Sequence, residues 1–146
     1  DNVYSSVDYI LDAAQEVESA ILTGNAVTLR GDDSANQLFG NDVTNVIDGR
    51  GGTDYMLGRG GADIFQIGPE AGAVDVIGDF SKAEGDRIAF AGFNAATTTV
   101  HQVSAVSFEV RDASNGLTQQ FQLFDAYGAA TFSGGPLVEG VDYYFG

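Results

Sequence analysis

The chain has 146 residues, enough for one domain built on one core. Its 44% hydrophobic content suits a folded chain rather than a disordered one. Six Lys and Arg stand against 21 Asp and Glu, a formal charge of −15, which argues against nucleic acid and anionic membrane surfaces as partners and favours cations.

Residues 1–30 admit two readings. Val7, Ile10, Leu11, Ala14, Val17 and Ile21 recur at helical spacing, with Ser5 or Ser6 as a cap. The alternative, which we favour, is strands at 9–11 and 20–22 joined by a loop, then a turn at Gly24-Asn25 and a strand at 27–29. The start at Asp1 reads as a cut from a longer protein. No secretory leader and no apolar run of transmembrane length is visible, so membrane insertion is not expected.

Residues 31–66 form an internal repeat. In blocks of nine they read GDDSANQLF, GNDVTNVID, GRGGTDYML and GRGGADIFQ. Gly31, Gly40, Gly49 and Gly58 open the blocks. Asn36, Asn45, Asp54 and Asp63 hold the sixth place, and Leu38, Ile47, Met56 and Phe65 the eighth. A period held at three positions at once is a structural repeat. The triplet around each eighth residue predicts a short strand whose middle side chain points inward. The other six residues must reverse the chain, and glycine permits the positive φ and close approach this needs. Two blocks make one flattened coil. Stacked coils then place turn 31–36 against 49–54, and turn 40–45 against 58–63. Stacking crowds carbonyls and carboxylates together, and like charges oppose it. Ca²⁺, a hard cation taking six to eight oxygens, is the natural counter-charge. Between Gly31 and Asp86 lie 11 acids and 3 bases, so the acidic excess gathers around the repeat.

Residues 67–73 hold Pro69 and two glycines and read as a loop. VDVIGDF at 74–80, the turn SKAEGD and RIAF at 87–90 follow. Beyond them TTVHQV, AVSFEVRD and LTQQFQLFDAY alternate as strands, with Ser114-Asn115-Gly116 as a hairpin signal. The tail PLVEGVDYYF reads as a final strand. Phe108, Val110, Phe121, Leu123, Phe124, Leu137, Val141, Tyr143 and Phe145 are too many apolar residues for a soluble surface. They are expected to pack over the open end of the stack.

GRGGTDYML and GRGGADIFQ resemble the G-G-x-G-x-D-x-U-x nonapeptide of RTX (haemolysin-type) calcium-binding proteins. The likeness is specific over 49–66 and looser over 31–48. VDYILDAAQEVESAILTGNA is similar to the run that often precedes such repeats. The segment from Asp75 to Phe90 is similar to the D-x-I-x-D-F…D-R-I-x-F exit of these rolls. The resemblance implies a right-handed parallel β-roll with a C-terminal antiparallel β cap, here one domain over 1–146: an N-terminal coil (1–30), repeats (31–66), a closing segment (67–90) and the cap (91–146). It implies Ca²⁺ ligation by Asp54 and Asp63, completed by carbonyls of Gly49, Gly51, Gly52, Gly58, Gly60 and Gly61. Asn36 and Asn45, with Gly31, Asp33, Gly40 and Asp42, are the weaker counterparts in the first two turns. Asp75 and Asp79 are expected to close the last site, and Asp86 serves equally well as a turn residue.

There are departures. Arg50 and Arg59 stand at the second place, where the family has Gly; an extended backbone there points them to solvent. Ser34 and Val43 stand at the fourth. A β-branched Val tolerates positive φ poorly, so turn 40–45 is expected to be reshaped.

Little else carries chemistry. His101 is the only histidine, which excludes HExxH. No G-x-S-x-G and no phosphate loop is present. Asp8, Asp12, Glu16 and Glu18 read as a solvated face rather than a glycosidase pair. Tyr143, Tyr144 and Phe145 read partly as core rather than as a sugar platform. Absent cysteine excludes disulfides, which a chain that folds on calcium outside the cell does not need. The expected function is a non-enzymatic, secreted bacterial calcium module that supports folding and type I export. Its partners are calcium ions and, where the C-terminus is native, the type I secretion machinery. The alternative is a calcium-dependent module binding an extracellular polysaccharide or a cell surface.

Overall fold

Apolar triplets between glycine-rich turns make strands too short to stand alone, so each needs a partner from the next coil. The computed structural model describes residues 1–70, 72–126, 129 and 131–146. Its strands are β1 (Asn2–Ser5), β2 (Tyr9–Ile10), β3 (Ser19–Leu22), β4 (Thr28–Arg30) and β5 (Gln37–Phe39). Then come β6 (Val46–Asp48), β7 (Tyr55–Leu57), β8 (Ile64–Ile67), β9 (Val74–Ile77) and β10 (Arg87–Phe90). The last four are β11 (Thr98–Gln102), β12 (Ser107–Asp112), β13 (Thr118–Leu123) and β14 (Tyr143–Phe145). Among the described residues there is no α-helix, only a 3₁₀ turn at Ala13–Gln15.

The strands sort into two sheets. One runs β1-β3-β5-β7-β9-β13-β12-β11, the other β14-β10-β8-β6-β4-β2. Up to β10 the chain alternates between them, and every pair formed there is parallel. Among the described residues antiparallel pairing occurs only in β11–β12 and β12–β13. Leu29, Ile47, Phe65 and Ile88 align across one sheet. Ala20, Leu38, Met56, Ile77 and Leu123 align across the other. All but Ala20 are fully buried, so the eighth place of each block is the core position. Truncating Ile47 or Met56 to Ala would cost about 2–5 kcal/mol.

The N-terminal segment is strands, not a helix. β1 begins before the first predicted strand and pairs with β3, and β4 lies one residue beyond its expected place. The C-terminal segment reaches the end of the stack by extending both sheets. β13 lies beside β9 and β14 beside β10, both parallel. Phe90 gathers Phe121, Tyr143 and Phe145 at ring-centroid distances of 5.6, 5.5 and 5.7 Å. Val141 departs from expectation: it is 64% exposed, in a turn where alternation does not operate. Ala71 of the predicted loop and Tyr127 of the predicted strand run lie outside the described residues.

Candidate metal centre

The two turn edges of the coil each carry a column of sixth-place residues. On one edge the Asn36 N–H donates to Asp54 Oδ1 (2.8 Å), and the Asp54 N–H donates to Asp75 Oδ1 (3.0 Å). On the other, the Asn45 N–H donates to Asp63 Oδ1 (2.7 Å), and the Asp63 N–H donates to Asp86 Oδ1 (2.8 Å). Each carboxylate thus binds the backbone of the coil before it. Asp79 works alike, accepting from Gly58 (2.9 Å) and Arg59 (2.8 Å).

Opening glycines let oxygens crowd in. A Cβ on Gly49 would overlap Asp54 Oδ2, and one on Gly58 would overlap Asp63 Oδ2. At Gly31 it would meet both the Gly49 carbonyl and Asn36 Oδ1; at Gly40, the Gly58 carbonyl and Asn45 Oδ1. Asp54 and Asp63 are 1% and 0% exposed, yet the Oδ2 of each has no hydrogen-bond partner. A buried carboxylate oxygen left bare is costly.

The charge balance sharpens the point. Burial pushes Asp54 up to about 8 and Asp63 up to about 7. Backbone donors pull the other way, but Asp75 and Glu70 add repulsion at Asp54, as Asp86 and Asp79 do at Asp63. Burial likewise raises Asp75 and Asp86 to about 6 and raises Asp79. Among the described residues no Lys, Arg or His side chain forms an ion pair with any of these five; the ion pairs lie at Glu18, Asp48, Glu109 and Asp142.

The expected ligands are not all brought together. Asp54, Asp63 and Asp75 lie in the columns, and Asp79 beside the Gly58 turn. Asp33 and Asp42 are exposed and stack on Gly51 and Gly60 instead. Asn45 is closed off: its Nδ2 donates to the Ala26 carbonyl (3.1 Å) and to Asn41 Oδ1 (3.1 Å). Ser34 and Val43 avoid positive φ, because Asp32 Oδ1 and Asn41 Oδ1 close those turns by accepting from their N–H groups. Arg50 and Arg59 are not extended; they adopt left-handed φ of 68° and 69°, as a glycine would. Asp86 holds in the second column the place of Asp75 in the first. The signal for it was its position just before the closing strand, matching Asp63 before β8.

Among the described residues no group of three or more His, Cys, Asp or Glu side chains converges as a metal-holding cluster. A cation bound at either column would therefore draw on backbone carbonyls as well as carboxylates, the donor set of a hard ion. No protein-family model matches the chain, and no curated protein matches it.

Proposed function

We propose that this chain is a calcium-binding module of the RTX type, a right-handed parallel β-roll in which β11–β14 serve as the C-terminal cap. The carrying observation is the pair of bare Oδ2 atoms on Asp54 and Asp63, buried in two carboxylate columns with which, among the described residues, no cationic side chain forms an ion pair. The donors fit calcium: carboxylate and carbonyl oxygens crowd at glycines without a Cβ, the oxygen set of a hard cation. Asp54, Asp63, Asp75, Asp86 and the turn carbonyls would hold the ions. Bound Ca²⁺ would supply the missing positive charge, so binding and folding would form one equilibrium. In this reading the module is non-catalytic. It matures outside the bacterial cell and supports folding and type I export of a larger secreted protein. Circular dichroism of chelator-treated protein should show β structure rising with Ca²⁺ and far less with Mg²⁺, which resists dehydration. An equal fold in excess chelator, with no calcium effect on melting, would defeat the proposal.

One observation favours a second reading, a glycan-binding face. A shallow groove of about 530 Å³ crosses the outer face of the first sheet, with Asn2, Ser19 and Gln37 in one row and Tyr4, Ile21, Phe39 and Leu57 in the next. A polar row beside an apolar one suits a sugar's two faces. Tyr4 is 71% exposed while Ile21 and Leu57 are only 8% and 6% exposed, so the apolar row offers one open aromatic ring rather than a broad apolar patch. Retarded migration in a polysaccharide gel, lost in Tyr4→Ala and Gln37→Ala, would support this face; unchanged migration of the parent chain would remove it.

A further inference from the structure

The nonapeptide turns end at Asp63, so the edge that carries Asp54 has no third repeat turn above it. Its place is taken by the loop after β8, and the position of Glu70 in that loop is unusual. Glu70 Oε2 is buried with no hydrogen-bond partner. Burial is the first influence that disfavours its charged form, Asp75 and Asp48 add repulsion, and the Gly52 amide of turn 49–54 favours the charged form. It lines a groove of about 460 Å³ with Asp33, Asp48, Gly51 and Gly68. Arg50 also lines the groove but makes no ion pair among the described residues. Within the same charge field lies Asp54, 1% exposed, with its bare Oδ2.

The loop does not rest there by chance. Gln119 of β13, 1% exposed, spends both ends of its amide on it. Its Oε1 accepts from the Glu70 N–H (2.7 Å), and its Nε2 donates to the Ala73 carbonyl (3.1 Å). A buried amide from the C-terminal hairpin thus fixes where Glu70 sits. Nothing in the local packing of a surface loop calls for such a clamp, nor for a carboxylate oxygen buried there without a partner.

We propose that Glu70, positioned by Gln119, supplies the side-chain oxygen that closes the last calcium position on the Asp54 edge, replacing the repeat turn that is missing there. This rests on the calcium reading above. It assigns a ligand outside the nonapeptides and a route by which the C-terminal hairpin sets calcium affinity.

The test is calorimetric titration of the full chain with CaCl₂ after chelator removal, comparing the parent, Glu70→Gln, Gln119→Ala and the double variant. Glu70→Gln should lose one bound ion or weaken one binding step by roughly tenfold or more, leaving the rest unchanged. In excess chelator it should retain at least as much β signal as the parent, because a buried unpaired charge is gone. Gln119→Ala should weaken the same step, and its effect should vanish on the Glu70→Gln background. A parent-like titration of Glu70→Gln overturns the inference, as does a loss of β signal in chelator, which marks a merely structural Glu70. Independent effects of the two substitutions remove the positioning role of Gln119. A parent chain that takes up no calcium overturns the proposed function and this inference with it.

Discussion

Arg50 and Arg59 sit where the backbone turns left-handed, at a cost of roughly 1–2 kcal/mol each for an L-residue. Glycine would remove that strain but lose about 0.5–1 kcal/mol to chain entropy. Arg50→Gly and Arg59→Gly should therefore be neutral to stabilising by up to about 1 kcal/mol, seen as a melting temperature a few degrees higher with calcium present. A clear fall would mean the guanidinium groups hold something the backbone geometry does not reveal. The sixth-place residues differ more sharply. Asp54 and Asp63 leave an oxygen bare, whereas Asn45 satisfies its own amide. Asp54→Ala or Asp63→Ala should weaken calcium binding by far more than Asn36→Ala, whose Oδ1 is already used by the Asp32 N–H (2.9 Å). Titration of the three variants ranks them, and a greater loss in the Asn36 variant would reverse the assignment.

Turns and strands are set by different rules, and this decides what the sequence reveals. Inward triplets could be read directly, because one large apolar residue every nine leaves a single pattern for strands β5 to β8. β1 could not: Asn2, Val3, Tyr4 and Ser5 carry no clear alternation, and only pairing with β3 makes them a strand. Asp54 and Asp63 stood out through the repeat, while Glu70 sits in a loop with no period and is placed by Gln119, 49 residues away. Long-range contacts of this kind leave no mark in local spacing. The fourth-place glycines show the turn rule at its strictest. A Cβ on Gly52 (φ +99°) would lie 2.6 Å from the Ser34 carbonyl carbon, and one on Gly61 (φ +108°) 2.8 Å from the Thr44 nitrogen. Gly116 (φ +75°) has nothing within 4 Å. Gly52→Ala and Gly61→Ala should thus lower the melting temperature more than Gly116→Ala, which bears only the φ cost of about 1–2 kcal/mol. Equal losses at the three sites would show that coils do not stack as closely as the turn geometry requires.

At the scale of the whole molecule the acidic columns and the solution pH are linked. Asp54, Asp63, Asp75, Asp86 and Glu70 have pKa values raised to between about 6 and about 8, chiefly by burial. In the unfolded chain they return to ordinary values near 4. Between those limits the folded, metal-free chain binds more protons than the unfolded one, so its stability falls as pH rises. Protons then do in part what a cation would do: they neutralise the columns. Asp8, Glu109 and Asp112 are shifted the other way, by hydrogen bonds to backbone or side-chain donors. Their contribution is present above pH 4 and is lost as pH falls through their lowered values. Without calcium, stability should therefore peak near pH 4, where the raised carboxylates are still protonated in the folded chain and the lowered ones are already ionised, and decline toward pH 8. Calcium should invert the upper limb, because it binds the ionised columns and must displace their protons. In weakly buffered solution near pH 6.5, adding Ca²⁺ should release protons, and its affinity should rise with pH. Chelator-treated protein that unfolds no more readily at pH 8 than at pH 5, together with calcium uptake that releases no protons, would place the buried carboxylates outside the binding reaction.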